Sequence, residues 1–551
     1  MPDREVVRAA LSKQPADLVF KNASVVDVFC RRIRKCDIAI QNGIIAGLGE
    51  DYHGTEERDA EGFFLLPGLI NSHVHIESSL VTPYEYARAV LPKGVTTVIA
   101  DPHEIANVCG GDGIGFMFGS AQNTPLEVYF MLPSCVPATP YDHSGAELNA
   151  EAVQKLSKNY PFHGLGEMMN TPGLLEFDPD VWDKLSVFPR IDGHAPQLHG
   201  KPLCGYIASG VSTDHECETP EEMVEKISLG MYVLLREGTS AKNLRRLVPG
   251  ITPATLRRVL FCTDDRDIND ILENGTISNC IATAIECGID PIDAITIATL
   301  NAAECYGLQG KGAVAPGYQA DLILSRDLSL REINTVYKKG VPVAEKGRTC
   351  YPLRSPEFPK YVLKTVALPR LSVRDFDFPW TEGTPAIQVL PHSLVTKKCF
   401  PESVQGLNRC AVIERYGRHQ GIGTAFVKDF GLHGGAIAQT IGHDSHNITV
   451  LGDDPVEMFR AVSALAPEGG IAVSRHGNLF RMPLPIAGLM SDQPAEIAAA
   501  QHAQIKQMVR EMTGNLDIDP LMLLAFLSLV VIPELKVNDS GLFDVTEQKY
   551  L

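Results

Sequence analysis

The chain has 551 residues, 44% apolar and 21% charged, a balance that suits a soluble globular protein of two or three domains with a large core. Its formal charge of −18 argues against broad binding to nucleic-acid backbone or to an anionic membrane surface. The 13 cysteines include no C-x-x-C pair, the sequence opens on no secretory pattern, and the longest apolar stretch, 521–532, is too short to span a bilayer. A reducing cytoplasm is therefore the expected compartment, and 521–532 reads as a buried helix.

Taken in order, residues 17–29 and 37–48 are β-rich, and Asn42-Gly43 inside the second predicts a hairpin. Short β-rich runs return at 318–324 and 334–344, so both flanks of the middle region are expected to build one small β domain, 1–62 with 313–355. Between them lie eight apolar β-like runs, each ending on a polar group and leading into a helical stretch. They are 64–70, 95–100, 128–132, 162–168, 190–193, 210–213, 231–236 and 259–263. Eight β-α units over roughly 250 residues are the size of a (β/α)8 TIM-like barrel, placed at 63–312. Prolines mark 356–385 as a linker, and a new apolar pattern over 386–551 predicts a C-terminal α+β domain.

The strand ends carry the chemistry. FLLPGLINSHVHIE (64–77) ends in His73-Val74-His75, and strand alternation points both imidazoles to one side. Strand two ends in Asp101-Pro102-His103-Glu104, strand four in Glu167, strand five in His194, strand six in His215 and strand eight in Asp264. Four histidines and two carboxylates in this order around a barrel rim suit a metal pair. His73, His75 and Asp264 are assigned to one ion, His194 and His215 to the other, and Glu167 to a bridge between them. Such a pair shares a water and lowers its pKa, and Asp264 is placed to take the proton as that water attacks.

The order HxH, strand-four bridge, His, His, Asp resembles the amidohydrolase superfamily. HVHIESS (73–79), ADPHEIANV (100–108), MLPSCVPATP (131–140), STDHE (212–216), HDSHN (443–447) and PLPIAGLMSD (483–492) resemble the adenine deaminase family within it, over nearly the whole chain. The resemblance implies hydrolysis of adenine to hypoxanthine and ammonia at a centre of two Mn2+ ions, with Fe2+ or Zn2+ also accepted. A homo-oligomer, dimer or tetramer, is the expected assembly. The region after His194 contains no acid (Ala-Pro-Gln197-Leu-His199), unlike mononuclear deaminases of the superfamily, and the H-x-E with P-C-x-x-C signature of zinc nucleobase deaminases is missing. His103 and Glu104 are therefore the candidates for moving protons to the leaving amine, beside the alternative that Glu104 only orients a ligand histidine.

Glu77 and Ser78 follow the HxH pair and either touch substrate or fix the loop. Residues 442–447 form a polar turn between two apolar runs, and His443 and His446 on it are expected to reach the barrel mouth, of their own subunit or a neighbour, and complete the substrate pocket. The alternative function is hydrolysis of a cyclic amide or N-acyl substrate. Such relatives often bridge their metals with a carboxylated lysine at strand four, where this chain has Glu167.

Overall fold

Both residues of the Asn42-Gly43 turn take positive φ, 52° and 73°, as a tight hairpin of this kind requires. The turn joins Arg32–Gln41 to Ile44–Gly49 in antiparallel register. This hairpin belongs to a computed structural model that describes residues 3–351, 357–391, 393–514 and 519–551. Strands from both flanks of the chain join in one nine-stranded sheet. Phe64–Pro67 is the seam: it pairs parallel with Ala16–Asp27 on one side and antiparallel with Leu322–Ser325 on the other.

That seam corrects the first barrel strand. The run 64–70 is not one strand, and the barrel begins at Leu69–Val74. Pro67 offers no N–H to a ladder. Gly68 lies so close to Thr96 that a Cβ there would sit 2.3 Å from its hydroxyl oxygen, so the chain changes sheet at this pair.

The remaining barrel strands are Val95–Ala100, Glu127–Leu132, Gly164–Met168, Ile191–Gly193, Thr213–Asp214, Tyr232–Arg236 and Val259–Cys262. They form parallel arcs of five and three strands. An Ile191–Val211 bridge joins the arcs, and a Val74–Asp264 bridge closes the ring between first and eighth strands. The sixth strand is shorter than expected, only two residues. Ile70, Ile99, Met131, Leu234 and Leu260 pack the interior with Tyr306, which makes the barrel a filled core with its working end at the C-terminal strand tips.

Of the stretch expected as a linker, residues 357–385 are packed against the last part of the chain. Val366 and Phe376 are buried in its core, and Ala367 N–H donates to the Arg415 carbonyl at 2.8 Å. Beyond lies an eight-stranded, mostly antiparallel sheet, with helix Pro455–Ser463 on one face and helix Ala495–Thr513 beside it. The run 521–532 is helical only over Pro520–Phe526. The Ser528 hydroxyl then bonds back to the Ala525 carbonyl, and the chain turns to reach strand Leu535–Asn538. No helix among the described residues is long and apolar enough to cross a membrane.

Candidate active site

The strand tips converge on one buried cluster. His73 and His75 project to the same side, with their Nε2 atoms 3.2 Å apart. His75 Nδ1 donates to the Asp101 carbonyl at 3.0 Å, which leaves the Nε2 lone pair facing the cluster, as a metal ligand needs. The His73 ring stacks on that of His215, with centroids 4.3 Å apart.

Glu167 stands at the centre, and its two oxygens face different partners. Oε1 lies 3.3 Å from His75 Nε2 and 3.4 Å from His103 Nδ1. Oε2 lies 3.1 Å from His194 Nδ1 and 3.4 Å from His215 Nε2. Asp101 fixes this carboxylate by accepting the Glu167 N–H at 3.0 Å. The close approach needs Gly166, because a Cβ there would lie 2.1 Å from the accepting Asp101 oxygen.

Asp264 follows the eighth strand at φ 55°, and its N–H donates to the His73 carbonyl at 3.1 Å. Its Oδ1 is 3.1 Å from His75 Nε2, and its Oδ2 accepts from Arg236 at 2.6 Å. Arg236 also pairs with Glu216, whose Oε1 lies 3.8 Å from His194 Nδ1 and 3.4 Å from His215 Nε2.

Charge follows this layout. Burial alone would push Glu167 up, but the hydrogen bond with His194 and the imidazoles of His75, His73 and His215 around it hold it well below the usual carboxylate range. Burial also opposes ionised Asp264, and the Arg236 guanidinium outweighs it. His215 is pushed down to about 4 by burial and by His73 beside it. Glu216 and Glu167 lift His194 to about 9 against its burial.

The donor set fits a metal. Glu167 Oε1 and His103 Nδ1 are buried without a hydrogen-bond partner in the chain. The groups His73–His75–Asp264, His73–Glu167–His215, His75–His103–Glu167 and His194–His215–Glu216 each bring three ligand atoms within 4.8 Å of one another. Imidazole nitrogens and carboxylate oxygens at such spacing suit a divalent first-row ion.

A second group of polar side chains adjoins the first. Glu104 is 1% exposed at the start of helix His103–Ala121. It meets His446 Nε2, His443 Nδ1 at 2.9 Å and His103 Nε2 at 3.5 Å. His443 and His446 belong to the turn between strands Gly435–Gln439 and Ile448–Gly452, so the C-terminal sheet reaches the barrel within the same chain. The turn is held by Tyr416 OH donating to the Ser445 carbonyl at 2.5 Å and by Asn447 Nδ2 donating to the His143 carbonyl at 2.8 Å. Three imidazoles outweigh burial and hold Glu104 well below its ordinary range. Glu77 accepts the Ile105 N–H at 3.1 Å, and Ser78 donates to Asp265 at 2.5 Å, so both are engaged within the chain beside the cluster.

A family model described as the adenine deaminase C-terminal domain matches residues 389–549, and one described as the amidohydrolase family matches residues 64–343. An adenine deaminase of Nitratidesulfovibrio vulgaris strain Hildenborough is 47% identical over 98% of this chain and 97% of the relative. Another of Clostridium acetobutylicum is 43% identical over 99% of both, and one of Geobacillus kaustophilus 42% identical over 99% of this chain and 98% of the relative. The chain belongs to the adenine deaminase family. Within this member of the family, three groups at the site escape a sequence reading: Glu216, Arg236 and Asp444. Glu216 directly follows His215, and Arg236 ends the seventh strand run, where a charge at a strand tip is the readable sign. Asp444 lies 3.4 Å from His443 Nδ1, and within HDSHN nothing but its place on the turn marks it.

Proposed function

We propose that this hydrolase, acting on a C–N bond, converts adenine and water to hypoxanthine and ammonia. The observation that carries the reading is the placement of Glu167, one oxygen towards His75 and His103 and the other towards His194 and His215. His73, His75 and Asp264 would hold one ion and His194 and His215 the other, with Glu167 and Glu216 as the carboxylates available beside them. Two divalent ions bound there, Mn2+ with Fe2+ or Zn2+ as alternatives, would supply Lewis acidity and a water of lowered pKa.

Asp264 keeps Oδ2 on Arg236 and presents Oδ1 to the cluster, where it takes the proton released as water adds to C6. Glu104, with His103 on one side and His443 and His446 on the other, passes a proton to the departing amino group. The turn 442–447 also covers the mouth and excludes water, which strengthens the electrostatics inside. Glu77, on the Ile105 N–H, and Ser78, on Asp265, hold the loop after His75 beside the substrate pocket.

Hydrolysis of a cyclic amide or N-acyl substrate is not favoured, since relatives 39–47% identical over nearly the whole chain are adenine deaminases. The same proposal starts from domains at 1–62 with 313–355, 63–312 and 386–551, with 356–385 between, and moves Phe64–Pro67 to the flank-built sheet and 357–385 to the C-terminal domain; the boundary at 355/356 lies outside the described residues. A reducing cytoplasm is the compartment this proposal takes. A homo-oligomer is checked by light scattering. The deciding experiment is ammonia release by the manganese-loaded protein from adenine, adenosine, guanine and cytosine. Adenine is expected to lead by a wide margin, and equal release from adenosine would overturn the free-base assignment.

A further inference from the structure

Behind His194 and His215 lies a charged group that the reaction does not use. Lys226, on helix Pro220–Ser228, is completely buried. Its ammonium has three protons and three acceptors: the Ala195 carbonyl at 2.7 Å, Asp214 Oδ2 at 2.9 Å and Glu222 Oε1 at 2.8 Å. Two of the three acceptors adjoin a histidine of the site. Ala195 follows His194 and Asp214 precedes His215 in the chain.

The carboxylates extend the same hold. Asp214 Oδ1 accepts the Ala195 N–H at 2.8 Å, and Oδ2 accepts the Glu216 N–H at 3.2 Å. Glu222 accepts the Gln197 N–H at 3.1 Å on one oxygen and the Glu218 N–H at 2.9 Å on the other. Both strand-tip loops, 194–197 and 214–218, are therefore tied to one ammonium at their backbones. A buried cation with saturated donors between two carboxylates has a single low-energy arrangement, because moving either loop leaves a buried charge unpaired.

We propose that Lys226 is a positioning residue that locks the His194 and His215 loops to each other and thereby sets the affinity of the ion those two histidines hold. The inference rests on the reading of His194 and His215 as metal ligands. His73 and His75 lie at the tip of the first strand and Asp264 follows the eighth, and Lys226 bonds to none of them. Its effect is accordingly confined to one of the two ions. Outer partners of metal ligands typically change affinity by about 10–100-fold when removed.

The test is a titration of chelator-treated full-length protein with Mn2+, read by metal content and electron paramagnetic resonance, on wild type, Lys226→Met and His194→Ala. Lys226→Met is expected to keep one ion at wild-type affinity and bind the other about 10–100-fold more weakly. Two ions at wild-type affinity in Lys226→Met, with one lost in His194→Ala, overturns the inference alone. Two ions at wild-type affinity in His194→Ala overturns the ligand assignment beneath it. Should Lys226→Met fail to fold, Glu222→Gln decides, since it keeps the side-chain shape and the Lys226–Asp214 pair. A several-fold weaker affinity for that same ion supports the role, and an unchanged affinity ends it.

Discussion

Replacing His446 by alanine tests whether the C-terminal sheet takes part in the chemistry. His446 is 1% exposed, and its Nε2 meets Glu104 Oε2. The variant leaves that oxygen buried with no partner on its side, while His443 still meets Oε1 at 2.9 Å. A hydrogen bond to a charged group contributes about 1.5–3 kcal/mol. If that energy holds Glu104 where it delivers a proton, its loss slows turnover by roughly 10–150-fold. Glu104→Gln removes the proton-carrying group itself, and the expected loss is about 10²–10⁴-fold. The assay is ammonia release from adenine by metal-loaded protein, for both single variants and the double. Because His446 acts through Glu104, the double variant should be little slower than Glu104→Gln alone, a coupling that independent sites do not show. Turnover within twofold of wild type in His446→Ala, or a double variant slowed by the product of the single effects, would refute the reasoning.

Glu167→Ala should abolish stable binding of at least one ion and lower turnover by several orders of magnitude, checked by metal content beside rate. Asp264→Asn keeps the shape that Arg236 and the His73 carbonyl hold, yet cannot accept a proton, so the fold persists and turnover falls by about 10²–10⁴-fold. A pH effect is expected far from the site, at Glu127. Burial would raise this carboxyl, but Lys338 and Lys311, each 2.8 Å away, bring it down to about 2. A carboxylate depressed from about 4.3 in the unfolded chain stabilises fully above that value, and the contribution disappears as pH falls towards the folded value. The melting temperature of Glu127→Gln should therefore lie below wild type at neutral pH, and thermal scans should show the gap narrowing below about pH 4.3.

The convergence of His73, His75, Glu167, His194, His215 and Asp264 is legible because each lies at the end of a short apolar run, and in a parallel barrel such ends share one face. Arg236 obeys the same rule, but a lone arginine carries no ligand chemistry, and its pairing with Asp264 and Glu216 is a matter of neighbouring strands. The change of sheet at Pro67-Gly68 was hidden because 64–70 is apolar on both sides of the break. Either sheet can bury those residues, and the choice is made by the packing of Gly68 on Thr96 and by the pairing with Leu322–Ser325, far away in sequence. His446 was readable as a polar turn residue. Its contact with Glu104 spans 342 positions of the chain, a distance no local pattern records.

The seam strand Phe64–Pro67 imposes an order on assembly during synthesis. One of its neighbours, Ala16–Asp27, leaves the ribosome before it, whereas the other, Leu322–Ser325, follows about 250 residues later. At about 5–20 residues per second that interval is on the order of ten to fifty seconds. Throughout it the seam shows an open edge carrying Leu65 and Leu66, both fully buried once the sheet is complete. The eight barrel strands are all made within the same interval, so the barrel can close while the sheet beneath it is still half built. The region made first is thus among the last to be sealed, and its exposed edge is where a nascent chain of this protein most needs cover.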